Sequence, residues 1–250
     1  ILTHSETSTG VINDLETISS YIREHNTALS IVDCVTSLGA CNVPVDEWQL
    51  DVVASGSQKG YMIPPGLSFI AMSPKAWKAS EKSNLPKFYL NLKSYKKSLL
   101  SNSNPYTPAV NLVFALDEAL KMMREEGLEN IFFRHKKHKL AVSNAVKALN
   151  LELFADENSL SPSITAIKIE GINAEEFRKT IKNKFDILLA GGQDHLKGKI
   201  FRVGHLGYIN DRDIITVISA ISNALLDLRK ITAQEAGEAL ALASKYLDAK

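Results

Sequence analysis

The sequence predicts an α/β fold with a mainly parallel sheet, followed by a smaller α+β unit. Three observations carry this. Short apolar runs at residues 29–33, 52–55 and 67–72 are strand-length and bounded by Gly, Pro or polar residues. A helical pattern precedes the first of them, and strands alternating with helices argue a parallel sheet. A long amphipathic stretch then separates this half from a second half with its own strand and helix signals.

The elements follow in order. Ile1-Leu2-Thr3 reads as a strand running straight into a polar motif, and the absence of an initial Met there reads as a fragment or a processed chain. Residues 13–24 place Leu15, Ile18 and Ile22 on one face, as a helix does. Ser37-Leu38-Gly39-Ala40 and Val43-Pro44 mark turns. The polar segment 94–108, with Asn104-Pro105 and Thr107-Pro108, reads as a loop. Leu112, Leu116, Leu120 and Met123 then define a connecting helix that ends near Gly127, and a second helix is predicted over 131–149. Strand signals lie at 165–169, at 187–190 before Gly191-Gly192, and at 199–204. A helix over 211–228 starts on Asp211, and a tail helix closes the chain. The expected domains are 1–126 and 127–250.

Composition narrows the function classes. The chain has 250 residues, 45% hydrophobic and 23% charged, which is ordinary for a soluble globular protein. A net charge of +1 implies no nucleic-acid partner, and the run Arg134-His135-Lys136-Lys137-His138-Lys139 reads as a solvated helix face. No apolar stretch is long enough for a membrane span, and no signal-peptide pattern opens the sequence. Two cysteines, Cys34 and Cys41, suggest neither a disulfide framework nor a metal site, so a reducing, cytoplasmic setting is expected. An organelle address upstream of Ile1 would change that.

Several residues have the chemistry of a site. Asp33 stands at the carboxyl end of an expected buried parallel strand, where open α/β sheets bind ligands. A buried carboxylate needs a partner, such as a cationic ring nitrogen; otherwise it is a cap or a strand-end ion pair. Lys59 follows a strand and a Gly-containing turn; burial would lower its pKa and free it as a nucleophile, whereas a lysine after a turn is ordinarily a surface residue. Ser57 and Gln58 offer neutral donors to a phosphate. The hydroxyl-rich run His4-Ser5-Glu6-Thr7-Ser8-Thr9-Gly10 suits an anionic oxygen or, more plainly, a helix cap. Arg202, on an expected strand, suits a carboxylate through two parallel hydrogen bonds, or a structural ion pair.

In this order the segments resemble one family. His4 to Gly10, Val32-Asp33-Cys34-Val35-Thr36-Ser37-Leu38-Gly39, Ser55-Gly56-Ser57-Gln58-Lys59, Pro64-Pro65-Gly66, Thr107-Pro108 and Arg202-Val203-Gly204-His205-Leu206-Gly207 resemble the class V aminotransferases of pyridoxal-phosphate (PLP) fold type I. The similarity is greatest to the alanine–glyoxylate and serine–pyruvate aminotransferase group. The resemblance implies PLP as cofactor, held by Lys59 as a Schiff base, with Lys59 also shuttling the substrate proton. It implies that Asp33 keeps the ring nitrogen protonated, Val35 packs on a ring face, Thr7 binds the ring 3′-oxygen and Gln58 the phosphate. Thr107 would reach the phosphate of a neighbouring subunit in a homodimer, and Arg202 would bind the substrate carboxylate. Small amino acids and 2-oxo acids are the implied substrates. The family pattern also places a Tyr three residues before the Thr-Pro threonine, where this chain has Asn104. The family's Gly-rich phosphate loop and ring-stacking aromatic have no counterpart here, so the 250-residue chain alone is expected to bind PLP weakly or not at all. The other readings are a cysteine-desulfurase-like activity and a subunit whose role is association.

Overall fold

The computed structural model describes residues 1–25 and 27–249, so the final residue of the second expected domain lies outside them. The first sheet holds β1 (Leu2–Thr3), β4 (Ile31–Asp33), β5 (Val52–Gly56) and β6 (Ser68–Met72), in the order β1-β4-β5-β6. β1, β4 and β5 run parallel in the register Thr3–Asp33–Ala54, and β6 is antiparallel to β5. Between β1 and β4 lie a small hairpin, β2 (Ser5–Glu6) with β3 (Val11–Ile12), and the helix α1 (Leu15–His25). The hydroxyl-rich run forms this hairpin and does not cap the helix. Asp14 takes that role instead, accepting from Thr17 N at 3.1 Å.

The lower edge of the first sheet is held by a buried carboxylate. Asp51 accepts from Ser30 N (3.0 Å), Ser73 Oγ (2.8 Å) and Lys75 Nζ (3.3 Å). Ser73 also caps α2 (Pro74–Glu81) by accepting from Ala76 N. These contacts tie β4, β5 and the chain after β6 at one end of the sheet, leaving the opposite edge for the loops described below.

The segment expected as a loop over 94–108 is in part a helix, α3 (Leu92–Leu100). Asn91 starts it by accepting from Lys93 N, and Leu92, Tyr95 and Leu99 share one face. That face buries no residue fully, so the local cap and spacing, not the core, define the helix. α4 (Val110–Glu126) and α5 (Leu128–Ala148) follow, as the amphipathic pattern predicts, with Gly127 between them.

The second sheet is antiparallel throughout: β7 (Glu152–Leu153), β8 (Ile164–Lys168), β9 (Ala190–Gly191) and β10 (Ile200–Gly204), in the order β7-β8-β10-β9. The strand expected over 187–190 is only Ala190–Gly191, because ladder pairing to β10 reaches no further back than Ala190. The helices α6 (Ala174–Phe185), α7 (Asp211–Asp227) and α8 (Ala233–Leu247) pack with α5 around a core of Val142, Val146, Ile167, Phe177, Phe201, Ile218 and Leu225. α7 starts on Asp211 as expected, and its cap is the preceding Asn210. Its side chain accepts from Arg212 N and Asp213 N while Asp213 returns a bond to Asn210 N.

The basic run on α5 is not a solvated face. His135 and His138 are buried, and Arg134 forms a bidentate pair with Glu126 (2.6 and 3.0 Å). Ile131, His135, His138 and Val142 fall at helical spacing, so the two imidazoles belong to the core stripe. Among the described residues no helix is long and apolar enough to cross a membrane.

Candidate active site

Parallel strands end their carbonyl-terminal residues on one edge, and here that edge gathers three loops. The residues after β1, β4 and β5 are His4 onward, Cys34 onward and Ser57 onward. Asp33 is pinned from both sides: its carbonyl accepts from His4 N (2.9 Å), and the next residue, Cys34, donates from its N–H to Ala54 O (2.9 Å). Its Oδ1 accepts from Val35 N at 2.9 Å, while Oδ2 takes no hydrogen bond from the described residues. The strand is buried on one face only. Val32 points to the core and Ile31 and Asp33 point away, because alternate residues face opposite sides, so the carboxylate is exposed rather than buried as expected.

The turn carrying Lys59 is closed by Ser57. Its hydroxyl donates to Pro64 O (2.8 Å) and accepts from Leu67 N (3.2 Å), and its backbone N–H donates to Leu67 O (3.0 Å). Ser57 is therefore a staple and not a free phosphate donor, which corrects the sequence expectation for its side chain. Gln58 is exposed and Lys59 half-buried. Lys59 Nζ forms no ion pair or hydrogen bond with the described residues. Gly60 follows because the chain passes close to another loop: a Cβ there would stand 2.1 Å from Leu38 O. Gln58 and Val35 lie side by side. A Cβ on Gly56 would be 3.1 Å from Gln58 Oε1 and 3.8 Å from Val35 Cγ1.

Thr7 sits in the turn of the β2–β3 hairpin, and that hairpin docks on the second half of the chain. Ser161 N–H donates to Gly10 O (2.9 Å), Ser5 and Ser161 hydroxyls meet at 2.8 Å, and Val11 bridges Leu160. Arg202, on β10, is buried and reaches the same turn: Nη1 donates to Thr7 O (2.5 Å) and Nε to Gly191 O (2.8 Å). Nη2 makes no bond to the described residues. Burial, together with the charge of Arg178, pushes the guanidinium pKa down, and the Glu6 charge opposes this. Hydrogen bonds from Ser8 and then the Arg202 charge hold the Glu6 carboxyl below its usual range.

Val35, Gln58, Lys59 and Thr7 thus lie in loops that follow the parallel strands, Asp33 ends β4, and Arg202 reaches the Thr7 turn from β10 of the second sheet. Thr107 does not join them. It is exposed ahead of α4, beside Tyr106, whose hydroxyl donates to Phe88 O (2.9 Å) within a ring cluster with Tyr89 and Tyr95. The sequence reading missed the staple role of Ser57 and the core placement of His135. The spacing from Ile131 to His135 to Val142 was the available signal for the second.

Against known proteins, the chain aligns throughout its length. Its fold is that of aminotransferase structures: it superposes on the ureidoglycine–glyoxylate aminotransferase of Bacillus subtilis with a TM-score of 0.89 and 32% identity, over 97% of this chain and 64% of that one. The chain belongs to the class-V aminotransferase family, whose model it matches over residues 1–206. It is 57% identical to the soluble hydrogenase small subunit of a Synechococcus strain, over 99% of this chain and 64% of that protein. It is 35% identical to the serine–glyoxylate aminotransferase of Methylorubrum extorquens, over 99% and 63%. The chain therefore spans less than two thirds of the length of these relatives.

Proposed function

We propose that the protein carrying this chain is a PLP-dependent aminotransferase, moving an amino group from a small amino acid (alanine or serine) to a small 2-oxo acid (glyoxylate or pyruvate). The observation that supports it best is the gathering of Asp33 and Lys59, from neighbouring parallel strands, at one edge with the Thr7 turn that Arg202 grips. The donor set suits the cofactor. Asp33 Oδ2 is open to a protonated ring nitrogen, Lys59 is a half-buried amine without an ion-pair partner, and Thr7 and Gln58 offer neutral donors. Bound PLP supplies an electron sink for the carbanion formed at the amino-acid α-carbon.

The chain's own residues then divide the work. Asp33 keeps the ring nitrogen protonated, and its Oδ1 bond to Val35 N aims the carboxylate. Lys59 Nζ would hold the cofactor, and as a free amine it would carry the proton to and from the substrate α-carbon. Val35 would pack against a ring face, Thr7 would bind the 3′-oxygen and Gln58 the phosphate. Arg202 binds the substrate carboxylate through the edge left open at Nη2, while its other nitrogens stay anchored. Thr107 serves the cofactor of a second copy in a homodimer. The exposed apolar side chains Leu99, Leu100, Val110 and Phe114, which flank it in the chain, support that reading.

The two cysteines of this chain are fewer than the four of ordinary iron–sulfur ligation, so the hydrogenase name of one relative is not carried over to these residues. A desulfurase role is not supported either. Burial pushes the Cys34 thiol up to about 11 and the Cys41 thiol to about 12, the reverse of an activated nucleophile. The test is Lys59→Ala in the protein carrying this chain, with alanine or serine and glyoxylate or pyruvate as substrates. Loss of turnover, together with a visible absorbance band that borohydride fixes onto Lys59 in the parent, is expected. Full turnover in the variant would sink the proposal.

A further inference from the structure

Two consecutive residues of α5 hold the backbone of Gly207, and Gly207 passes beside the Lys59 carbonyl. The Gly207 N–H donates to His135 Nε2 at 3.1 Å, and its carbonyl accepts from Arg134 Nη1 at 2.9 Å. His135 Nδ1 faces Ile131 O at 2.7 Å. A carbonyl only accepts, so Nδ1 carries the ring proton and Nε2 is a free acceptor. Arg134 also bonds Ile209 O (3.1 Å) and pairs with Glu126 at the end of α4. Gly207 has φ +86°, and a Cβ on it would stand 3.3 Å from Lys59 O and 3.5 Å from Met62 Cγ. Lys59 O is itself the acceptor for Met62 N at 3.0 Å, so the Gly207 backbone passes beside the bond that shapes the lysine turn, with room for no more than a hydrogen between them.

We infer that His135 and Arg134 are positioning residues for Lys59, acting through Gly207. This rests on the reading of Lys59 as the reactive amine. Neither α5 side chain touches the edge where Asp33 and Thr7 lie; their effect passes through a backbone contact. Arg202, five residues before Gly207, is anchored separately by Thr7 O and Gly191 O. Loosening Gly207 therefore moves the lysine and leaves the carboxylate anchor in place. The expected signature is a fall in kcat with KM for the amino acid nearly unchanged, because small misplacement of a reacting group costs up to about a hundredfold.

The experiment compares His135→Leu, which removes the acceptor, with His135→Gln, whose amide oxygen replaces it and whose amide N–H can serve Ile131 O. Expected in His135→Leu is a kcat loss of about tenfold or more, with KM within about twofold, and recovery in His135→Gln. A second readout needs no turnover: acylation of Lys59 in the cofactor-free protein, mapped by peptide mass spectrometry, with Lys75 on the other sheet edge as internal reference. His135→Leu should change the Lys59 rate about threefold or more relative to Lys75, scaling with the kcat loss. If His135→Leu does not fold, Gly207→Ala disturbs the same neighbourhood directly, by placing a Cβ 3.3 Å from Lys59 O. Unchanged Lys59 labelling in folded variants overturns the inference, as does a glutamine variant that regains thermal stability but not the Lys59 rate. Neither labelling result depends on transamination, so failure of the Lys59→Ala test is told apart from failure here.

Discussion

Arg202 Nη1 donates to Thr7 O at 2.5 Å, joining residues 195 positions apart. The bond ties the middle of the second sheet to a hairpin turn beside the first, so the carboxylate-binding candidate and the loop at the parallel edge share one position. Replacing Arg202 with Lys keeps the charge but not the planar fork that serves Thr7 O, Gly191 O and a third partner at once. We expect KM for the amino acid to rise about tenfold to a hundredfold, since a hydrogen bond to a charged group is worth about 1.5–3 kcal/mol. Steady-state kinetics with alanine or serine checks this; unchanged KM would place the carboxylate elsewhere.

Asp33 uses only Oδ1 in the fold. Asp33→Asn retains an oxygen for the Val35 N–H, so melting temperature should barely move. Turnover should fall about tenfold to a hundredfold, because the neutral amide no longer holds a proton on a ring nitrogen. Equal activity in the folded variant would remove Asp33 from the site.

Ser57→Ala removes the staple of the lysine turn and leaves Pro64 O and Leu67 N without the hydroxyl they share. The expected cost is about 0.5–1.5 kcal/mol in urea unfolding, the net worth of a hydrogen bond whose partners water can reach. Amide exchange at Leu67 should quicken with it. A variant as stable as the parent would mean that water replaces the hydroxyl without loss.

Acid should unfold the protein earlier than its carboxylates alone would require. Burial lowers His4 and His135 from 6.5 to about 4, and His205 to about 3. The sign follows directly. In the unfolded chain these imidazoles bind protons as pH falls through 6.5, while in the folded chain they stay neutral until about pH 4 or 3. Stability is therefore full above pH 6.5 and falls as pH drops from there toward 4. Denaturant unfolding at pH 7, 6 and 5 should show the slope steepening toward about three protons. The carboxylates held low, such as Glu6 and Asp211, add their loss as pH falls through their ordinary values of 4.5 and 3.8 and below. A flat profile from pH 7 to 5 would contradict the burial of the imidazoles.

The α/β class, the parallel order of the strands ending at residues 33 and 56, and the helices on either side of Gly127 were legible because local periodicity and breakers decide them. α3 was not, since a short exposed helix starting on Asn91 has little apolar signal and its Pro-bearing neighbours read as a loop. The basic run on α5 misled for a related reason. Charge density suggests solvent, but whether His135 and His138 face water depends on what packs against the helix.

The same division holds for the site. Residue type and neighbouring turns marked the Thr7 run, Asp33, Gln58, Lys59 and Arg202 as candidates, and the resemblance to class V aminotransferases added Val35 and Thr107 and assigned the roles. Tertiary structure decided that Arg202 meets the Thr7 turn, that Ser57 closes the Lys59 turn, and that Arg134 and His135 hold the Gly207 backbone. Those contacts join residues from 7 to 195 positions apart, and the longest of them form only when separate sheets and helices pack. No local pattern of spacing encodes such pairings; they follow from where buried polar groups find partners once the cores close.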